Sequence, residues 1–447
     1  MAEQEPCRLT ATKALDLIRS NKLTVEAYAR SLLSRIESRN AAVKAWAYLD
    51  PELVLEQARR LDEIPVDKRG PLHGLPVGIK DIMHTKDMPT EHNSPIYKNS
   101  HVAVDAAPVA VLRAAGALIF GKTATTEFAA TTAGPPTRNP HNEAHTPGGS
   151  SSGSGAAVAD FQVPVALGTQ TGGSMVRPGS FNGIYALKPT WNALSREGVR
   201  IHSLILDTVG VFARCVEDLD ILARVLGVTV TVTHAEPDQE REFEGVSGAK
   251  FGIVKGPVWN LAEPGTVSAL QKAREILERH GAVVEEVDLP DAFNKIPEWH
   301  ARIMSGDGGV SVFPEYQMEK SKVHGSLVDF VKNTKGYTRA QLLEAYDGIA
   351  MLRPRIDEIA GRYAALITPS VPGEALVGIE WTGEAAFCSM WTALHTPVVN
   401  IPGFGGENNL PIGLTLVAPR YHDQHLLSVA KTVGEIFAEE GGWKSTL

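Results

Sequence analysis

An α/β fold is predicted for this chain, and three observations predict it. Apolar runs of strand length alternate with amphipathic helical stretches along most of the sequence, in βαβ fashion. The chain has 447 residues, long enough to bury a large core, although length alone does not fix the number of domains. Hydrophobic residues at 43% and charged residues at 21% are the balance of a soluble globular protein.

The elements follow in order. Residues 10–20 and 25–39 read as amphipathic helices, the second capped by Thr24, with Val25, Tyr28, Leu32, Leu33 and Ile36 on one face. Residues 51–61 give a third helix, and residues 77–79 a short buried strand ending at Lys80 and Asp81. Residues 106–115 read as helix, 117–120 as strand and 123–130 as helix. Farther along, 161–167, 185–189, 251–254 and 283–287 read as strands, with helices at 217–226 and 266–280. Residues from about 290 to 360 are mostly helical, rich in turn residues such as Gly306-Asp307-Gly308-Gly309, and expected to cover one side of the sheet near substrate. Strands at 365–368, 398–401 and 411–417 and a helix at 424–437 close the chain.

Composition excludes several classes. A net charge of −9 argues against nucleic acid or an anionic membrane as partner. Cys7, Cys215 and Cys388 are far apart and make no metal or disulfide pattern. The longest stretch free of acidic and basic residues apart from histidine, 385–406, is broken by Pro397, Asn400 and Pro402, so no membrane helix is expected. The start MAEQEPCRLT carries no secretory signal. A cytoplasmic location is expected.

The chemistry concentrates in residues 146–178, TPGGSSSGSGAAVADFQVPVALGTQTGGSMVRP. Two Gly/Ser clusters each open onto a stretch that a core would bury, unlike a linker, which stays polar throughout. The clusters are therefore placed to present backbone N–H groups at a fixed site. Gly149-Ser150-Ser151-Ser152-Gly153 fits the nucleophile-elbow pattern around Ser151, but no buried strand precedes it, and neither His422 nor His425 is marked as a base. The run from Gly116 to Thr123 fits a phosphate loop, except that its four intervening residues are themselves a strand. Lys80, at the end of a buried strand, has two readings. It pairs with Asp81 or reaches solvent, or it is a desolvated amine whose lowered pKa lets it act as a base.

Taken together, Gly78-Ile79-Lys80-Asp81, Gly121-Lys122-Thr123, PGGSSSGSGAAV at 147–158, ALGTQTGGSMVRP at 166–178 and Leu187-Lys188-Pro189-Thr190 resemble, in order and spacing, the amidase signature family. The segments at 366–369, 399–402 and 410–413 extend the resemblance over most of the chain. Gln170, standing where the family commonly has Asp, and Arg177, set one residue late, are similar to the malonamidase type. The resemblance implies a single α/β domain over residues 1–447, with a large mixed sheet, helices on both faces and a helical N-terminal region of about residues 1–65. It implies hydrolysis of a small carboxylic amide with no metal or cofactor. Ser174 falls on the nucleophile, Ser150 on the proton relay after a cis Gly149–Ser150 bond, and Lys80 on the base.

Thr171, Gly172 and Gly173 would supply oxyanion donors. Arg177, with Gly149 and Gln170, would meet substrate; Arg177 either holds a substrate carboxylate or braces a loop. Ser151 and Ser152 would orient Lys80 or the cis bond, unless Ser152 only caps the helix beginning near Gly155. Thr415, and Ala159-Asp160-Phe161 after Val158, depart from the usual pattern. Two alternatives stand beside the amidase: the glutamine-hydrolysing A-type subunit of an amidotransferase, which works with partner subunits, and a non-catalytic binding homologue. A small-molecule amide is the expected partner, with room for a homodimer.

Overall fold

The computed structural model describes residues 5–228 and 243–447. Among these the strands are β1 (Trp46–Tyr48), β2 (Pro76–Lys80), β3 (Leu118–Thr123), β4 (Val165–Gln170), β5 (Tyr185–Lys188), β6 (Thr208–Ala213), β7 (Lys250–Ile253), β8 (Val283–Glu286), β9 (Ala365–Pro369), β10 (Val398–Gly405) and β11 (Pro411–Val417). They form one sheet in the order β1-β3-β2-β4-β6-β5-β10-β11-β9-β7-β8. The sheet is mixed: β2 runs parallel to β3 and β4, and β7 to β8 and β9, while the strands between pair antiparallel. The α/β class and large mixed sheet expected from the sequence are present. No described helix is long and apolar enough to cross a membrane.

Core lies on both faces of the sheet, and strand alternation explains where Lys80 points. Val77 and Ile79 of β2 join one cluster with Leu72, Val109 and Leu112, so Gly78 and Lys80 face the other side. That side holds Phe120, Ala156, Ala157 and Ala166. The helix Ser152–Ala159 packs there, against β2, β3 and β4. Its small residues permit contact with backbone: a Cβ at Gly153 would come within 2.1 Å of the Ala45 carbonyl oxygen and 2.3 Å of the Ala124 nitrogen.

Four sequence expectations change. Residues 123–130 are not a helix: β3 continues through Thr123, and only a 3₁₀ turn, Glu127–Ala129, follows. Pairing on both flanks, with β1 and β2, holds Lys122 and Thr123 in the sheet. The strand placed at 161–167 starts later, at Val165, because the preceding helix runs to Ala159 and closes at Asp160. Asp160 accepts from Arg35 at 2.9 Å and Arg39 at 3.0 Å, anchoring the helix Val25–Val43, which gives the departure at this position a structural role. Gly306-Asp307-Gly308-Gly309 is not a turn but the interior of the helix Ile296–Glu319. A Cβ at Gly308 would lie 2.5 Å from His202, and one at Gly309 2.9 Å from the Phe330 carbonyl, so these glycines are contact points between packed elements. Finally, the helix expected near Gly155 begins at Ser152, and no side chain caps it.

Candidate active site

Lys80 ends β2, next to β4, which leads into the turn carrying Ser174. Ligand sites in open α/β sheets lie beyond the carboxyl ends of such parallel strands. The Lys80 side chain is fully buried. It reaches neither Asp81 nor solvent: its Nζ lies 2.7 Å from Ser150 Oγ, 2.8 Å from Thr169 Oγ1 and 3.0 Å from Ser151 Oγ. Asp81 is taken by Lys122, at 2.9 Å. Burial pulls the Lys80 pKa well below the lysine value; the charge of Asp207 opposes this, and that of Arg177 adds to it.

The Gly149–Ser150 bond is cis, and Ser150 is buried. Ser151 accepts from Lys80 and donates to the Thr169 carbonyl at 3.2 Å. It therefore supports Lys80, with no elbow histidine among its hydrogen-bond partners in the described residues. Ser152 is buried, and its hydroxyl finds no partner among the described residues. Lys122, the phosphate-loop lysine of the sequence pattern, is fully buried against Asp81, Thr90 and the Pro89 carbonyl. No phosphate could reach it there.

Ser174 lies between the turn Thr171–Gly173 and the helix Val176–Phe181, with 9% of its surface exposed. The turn before it is braced on several sides. Thr171 donates its hydroxyl to Asp207 at 2.6 Å, and Asp207 also accepts from His202 N at 2.7 Å. His300 and Thr392, which the sequence did not single out, hold the carbonyls of Thr171 at 2.9 Å and Gly172 at 2.8 Å. His300 lies in a long helix with no motif around it, and Thr392 in a helix, Ala386–Ala393, that the apolar pattern did not reveal.

Gln170 and Arg177, both expected at substrate, are engaged elsewhere. The Gln170 side chain is fully buried, accepts from Met175 N at 2.8 Å and Val176 N at 3.0 Å, and donates to Thr392 at 2.9 Å. It ties the turn to the helix behind Ser174. Arg177 donates to the Gly149 carbonyl at 2.6 and 3.1 Å and to the Gly383 carbonyl. Burial lowers its pKa to about 10. Of its two sequence readings, the structure displays the brace. Thr415, the other departure, lies in a buried hydroxyl network with Ser370, 2.7 Å away.

The Amidase family model matches residues 27–427. Among curated relatives, the A-type subunit of the glutamyl-tRNA(Gln) amidotransferase of Carboxydothermus hydrogenoformans is 30% identical over 466 residues, covering 94% of this chain and 96% of the relative. That of Agathobacter rectalis is 31% identical over 468 residues, covering 94% and 92%. Among solved structures, the native peptide amidase of Stenotrophomonas maltophilia superimposes with a TM-score of 0.80 at 26% identity, covering 96% of each chain. The A-type subunit of the Thermotoga maritima amidotransferase also gives 0.80, at 27% identity, covering 97% and 96%.

Proposed function

We propose, from the premise that this chain belongs to the amidase family, that it cleaves a carboxamide C–N bond through an acyl-enzyme on Ser174. One observation carries the reading: Lys80 is dry, and among the described residues its hydrogen-bond partners are three hydroxyls and no carboxylate. An ammonium would have to donate to all three, whereas a neutral amine donates two hydrogen bonds and offers one lone pair. The Ser151 proton is directed at Thr169. That leaves the hydroxyls of Ser150, at 2.7 Å, and Thr169, at 2.8 Å, to give a proton to the lone pair, and the proposed relay runs through Ser150.

The reaction follows from this chain. Lys80 draws the proton of Ser150, Ser150 draws that of Ser174, and Ser174 Oγ attacks the amide carbonyl. The backbone N–H groups of the turn Thr171–Gly173 receive the oxyanion. Ser150 returns a proton to the nitrogen, which cannot leave as an anion, and the C–N bond breaks. Water then attacks the acyl-enzyme by the same relay, releasing the acid.

Substrate is the finer question. The curated relatives favour the A-type amidotransferase subunit, in which glutamine is the amide and partner subunits use the ammonia, over a self-standing amidase for small linear amides. A malonamidase-like substrate is less supported, since Arg177 is already engaged with two backbone carbonyls. The peptide amidase superposition keeps the self-standing amidase as a second reading.

Ammonia release from glutamine, simple aliphatic amides and peptide amides, measured for the wild type and for Ser174→Ala and Lys80→Ala, tests both layers. Undiminished turnover in either variant removes the triad. Turnover of aliphatic or peptide amides without glutamine selects the self-standing amidase. A wild type inert toward every amide leaves the non-catalytic homologue and an A-type subunit lacking its partner subunits, and labelling of Ser174 by a serine-directed inhibitor separates the two.

A further inference from the structure

We propose that His300 and Thr392 are positioning residues that aim the oxyanion donors at the reacting carbonyl, and that the helical segment at about residues 290–360 thereby has a part in catalysis. The proposal rests on the acyl-enzyme reading above. Its basis is the planarity of the peptide unit. In a trans peptide the C=O and N–H of one unit point in opposite directions, so fixing one fixes the other. Both units of the Thr171–Gly173 turn are trans, since the cis bond found among the described residues lies at Gly149–Ser150.

His300 Nε2 is 2.9 Å from the Thr171 carbonyl oxygen. A carbonyl only accepts, so the nitrogen facing it carries the proton. Held outward in this way, the Thr171 carbonyl turns the Gly172 N–H to the opposite side. Thr392 does the same one unit later: its hydroxyl donates to the Gly172 carbonyl at 2.8 Å, which turns the Gly173 N–H away from Thr392.

Each anchor is itself fixed. Thr392 accepts from Gln170 at 2.9 Å, the side chain that also ties down Met175 and Val176. His300 is buried on the helix Ile296–Glu319, and its Cε1 lies 3.6 Å from where a Cβ on Gly172 would stand. The Thr171 side chain is held from another direction by Asp207. Glycine has the widest backbone freedom of any residue, so Gly172-Gly173 would not keep its N–H groups convergent unaided. Preorganised donors are effective because they do not reorient during reaction.

The test avoids the unknown amide by using an alkyl fluorophosphonate. Its phosphoryl oxygen takes the oxyanion position while Ser174 Oγ bonds to phosphorus and fluoride leaves. Mass spectrometry locates the adduct, and the dependence of rate on probe concentration separates binding from reaction.

His300→Leu is expected to slow the reaction step about 10- to 100-fold, below the full loss of one donor, with probe binding unchanged. His300→Gln, which can place an N–H at the same carbonyl, is expected within about threefold of wild type on the same grounds. Thr392→Val should slow the step about tenfold and Thr392→Ser should restore it.

A folded His300→Leu protein reacting at the wild-type rate, or a His300→Gln protein as slow as His300→Leu, overturns the proposal. If His300→Leu does not fold, His300→Gln against wild type and Thr392→Val against Thr392→Ser decide it, equal rates in the Thr392 pair counting against it. A wild type that is not labelled, or is labelled elsewhere than at Ser174, overturns the acyl-enzyme reading itself and the proposal with it.

Discussion

Lys80 and Lys122 are neighbours on parallel strands, with Ile79 in register with Lys122 and Lys80 with Thr123, and both are fully buried. Burial lowers the pKa of each. What separates them is company. Lys122 has a carboxylate at 2.9 Å, a hydroxyl at 2.7 Å and a carbonyl at 3.0 Å, and the charge of Asp81 works against its desolvation. Lys80 has three hydroxyls. A third buried lysine, Lys188, shows that lowering the pKa does not suffice. Burial brings it to about 7, yet it donates to the carbonyls of Pro189 and Thr396, which have no proton to give. A lysine base needs desolvation, no adjacent counter-ion and a hydroxyl within reach. Only the first of these is common to all three lysines.

The largest expected effect separates the two neighbours by activity. Lys80→Met should lower amide turnover about 10³- to 10⁴-fold, the scale of a lost general base, while the protein still folds. Lys122→Met should act on stability instead, by about 3–5 kcal/mol, because Asp81 is left buried and uncompensated. Turnover and urea unfolding of both variants check the contrast. An active Lys80→Met enzyme, or a Lys122→Met protein as stable as wild type, would erase the distinction.

A smaller effect concerns pH. The folded-state pKa of Lys80 lies below its ordinary 10.5, so the neutral, proton-accepting form predominates above the folded value. The rate should therefore fall on the acid side as the amine charges; a rate unchanged down to about pH 5 would be incompatible with a lysine base. Stability runs in a linked way. Between the folded value and 10.5 the unfolded chain binds more protons, so Lys80 makes stability rise with pH through that window. The penalty is absent above 10.5 and complete below the folded value. Lys80→Met should remove that slope, as read from urea midpoints across the alkaline range.

How far the sequence anticipates this site depends on the range of the interactions involved. Lys80 at the end of an apolar run and the glycine- and serine-rich turns are local patterns, and the structure sets Lys80 against Ser150 and Ser151 of the first of those turns. Strands β2, β9, β10 and β11 are legible for the same reason: their apolar runs are buried on both faces. The choice between Asp81 and the serines as partner for Lys80 is not local. It depends on Lys122, which lies on the adjacent strand and claims Asp81. Gln170 and Arg177 read toward substrate because the resemblance to the malonamidase type rests on them. Their actual partners, Thr392 and the carbonyls of Gly149 and Gly383, include groups more than two hundred positions away. The glycines at 306–309 read as a turn because glycine marks turns, whereas here the missing Cβ serves packing inside a helix.

The most delicate expectation concerns what little charge Lys80 does feel. Asp207 is buried, accepts from Thr171 and His202 N, and has its pKa raised to about 6 by burial. Its charge favours the ammonium form of Lys80 from a distance. Asp207→Asn removes that charge yet keeps an oxygen that Thr171 can donate to. The amine should then lose its proton more readily, so the acid limb of the rate profile moves to lower pH. The plateau rate should fall only a few-fold, as for one weakened neutral hydrogen bond. The Lys122–Asp81 pair lies outside this network, so its contribution to stability should not change. A limb that stays in place, or moves to higher pH, would mean that Asp207 acts on the turn alone and that the proton affinity of Lys80 is set by burial.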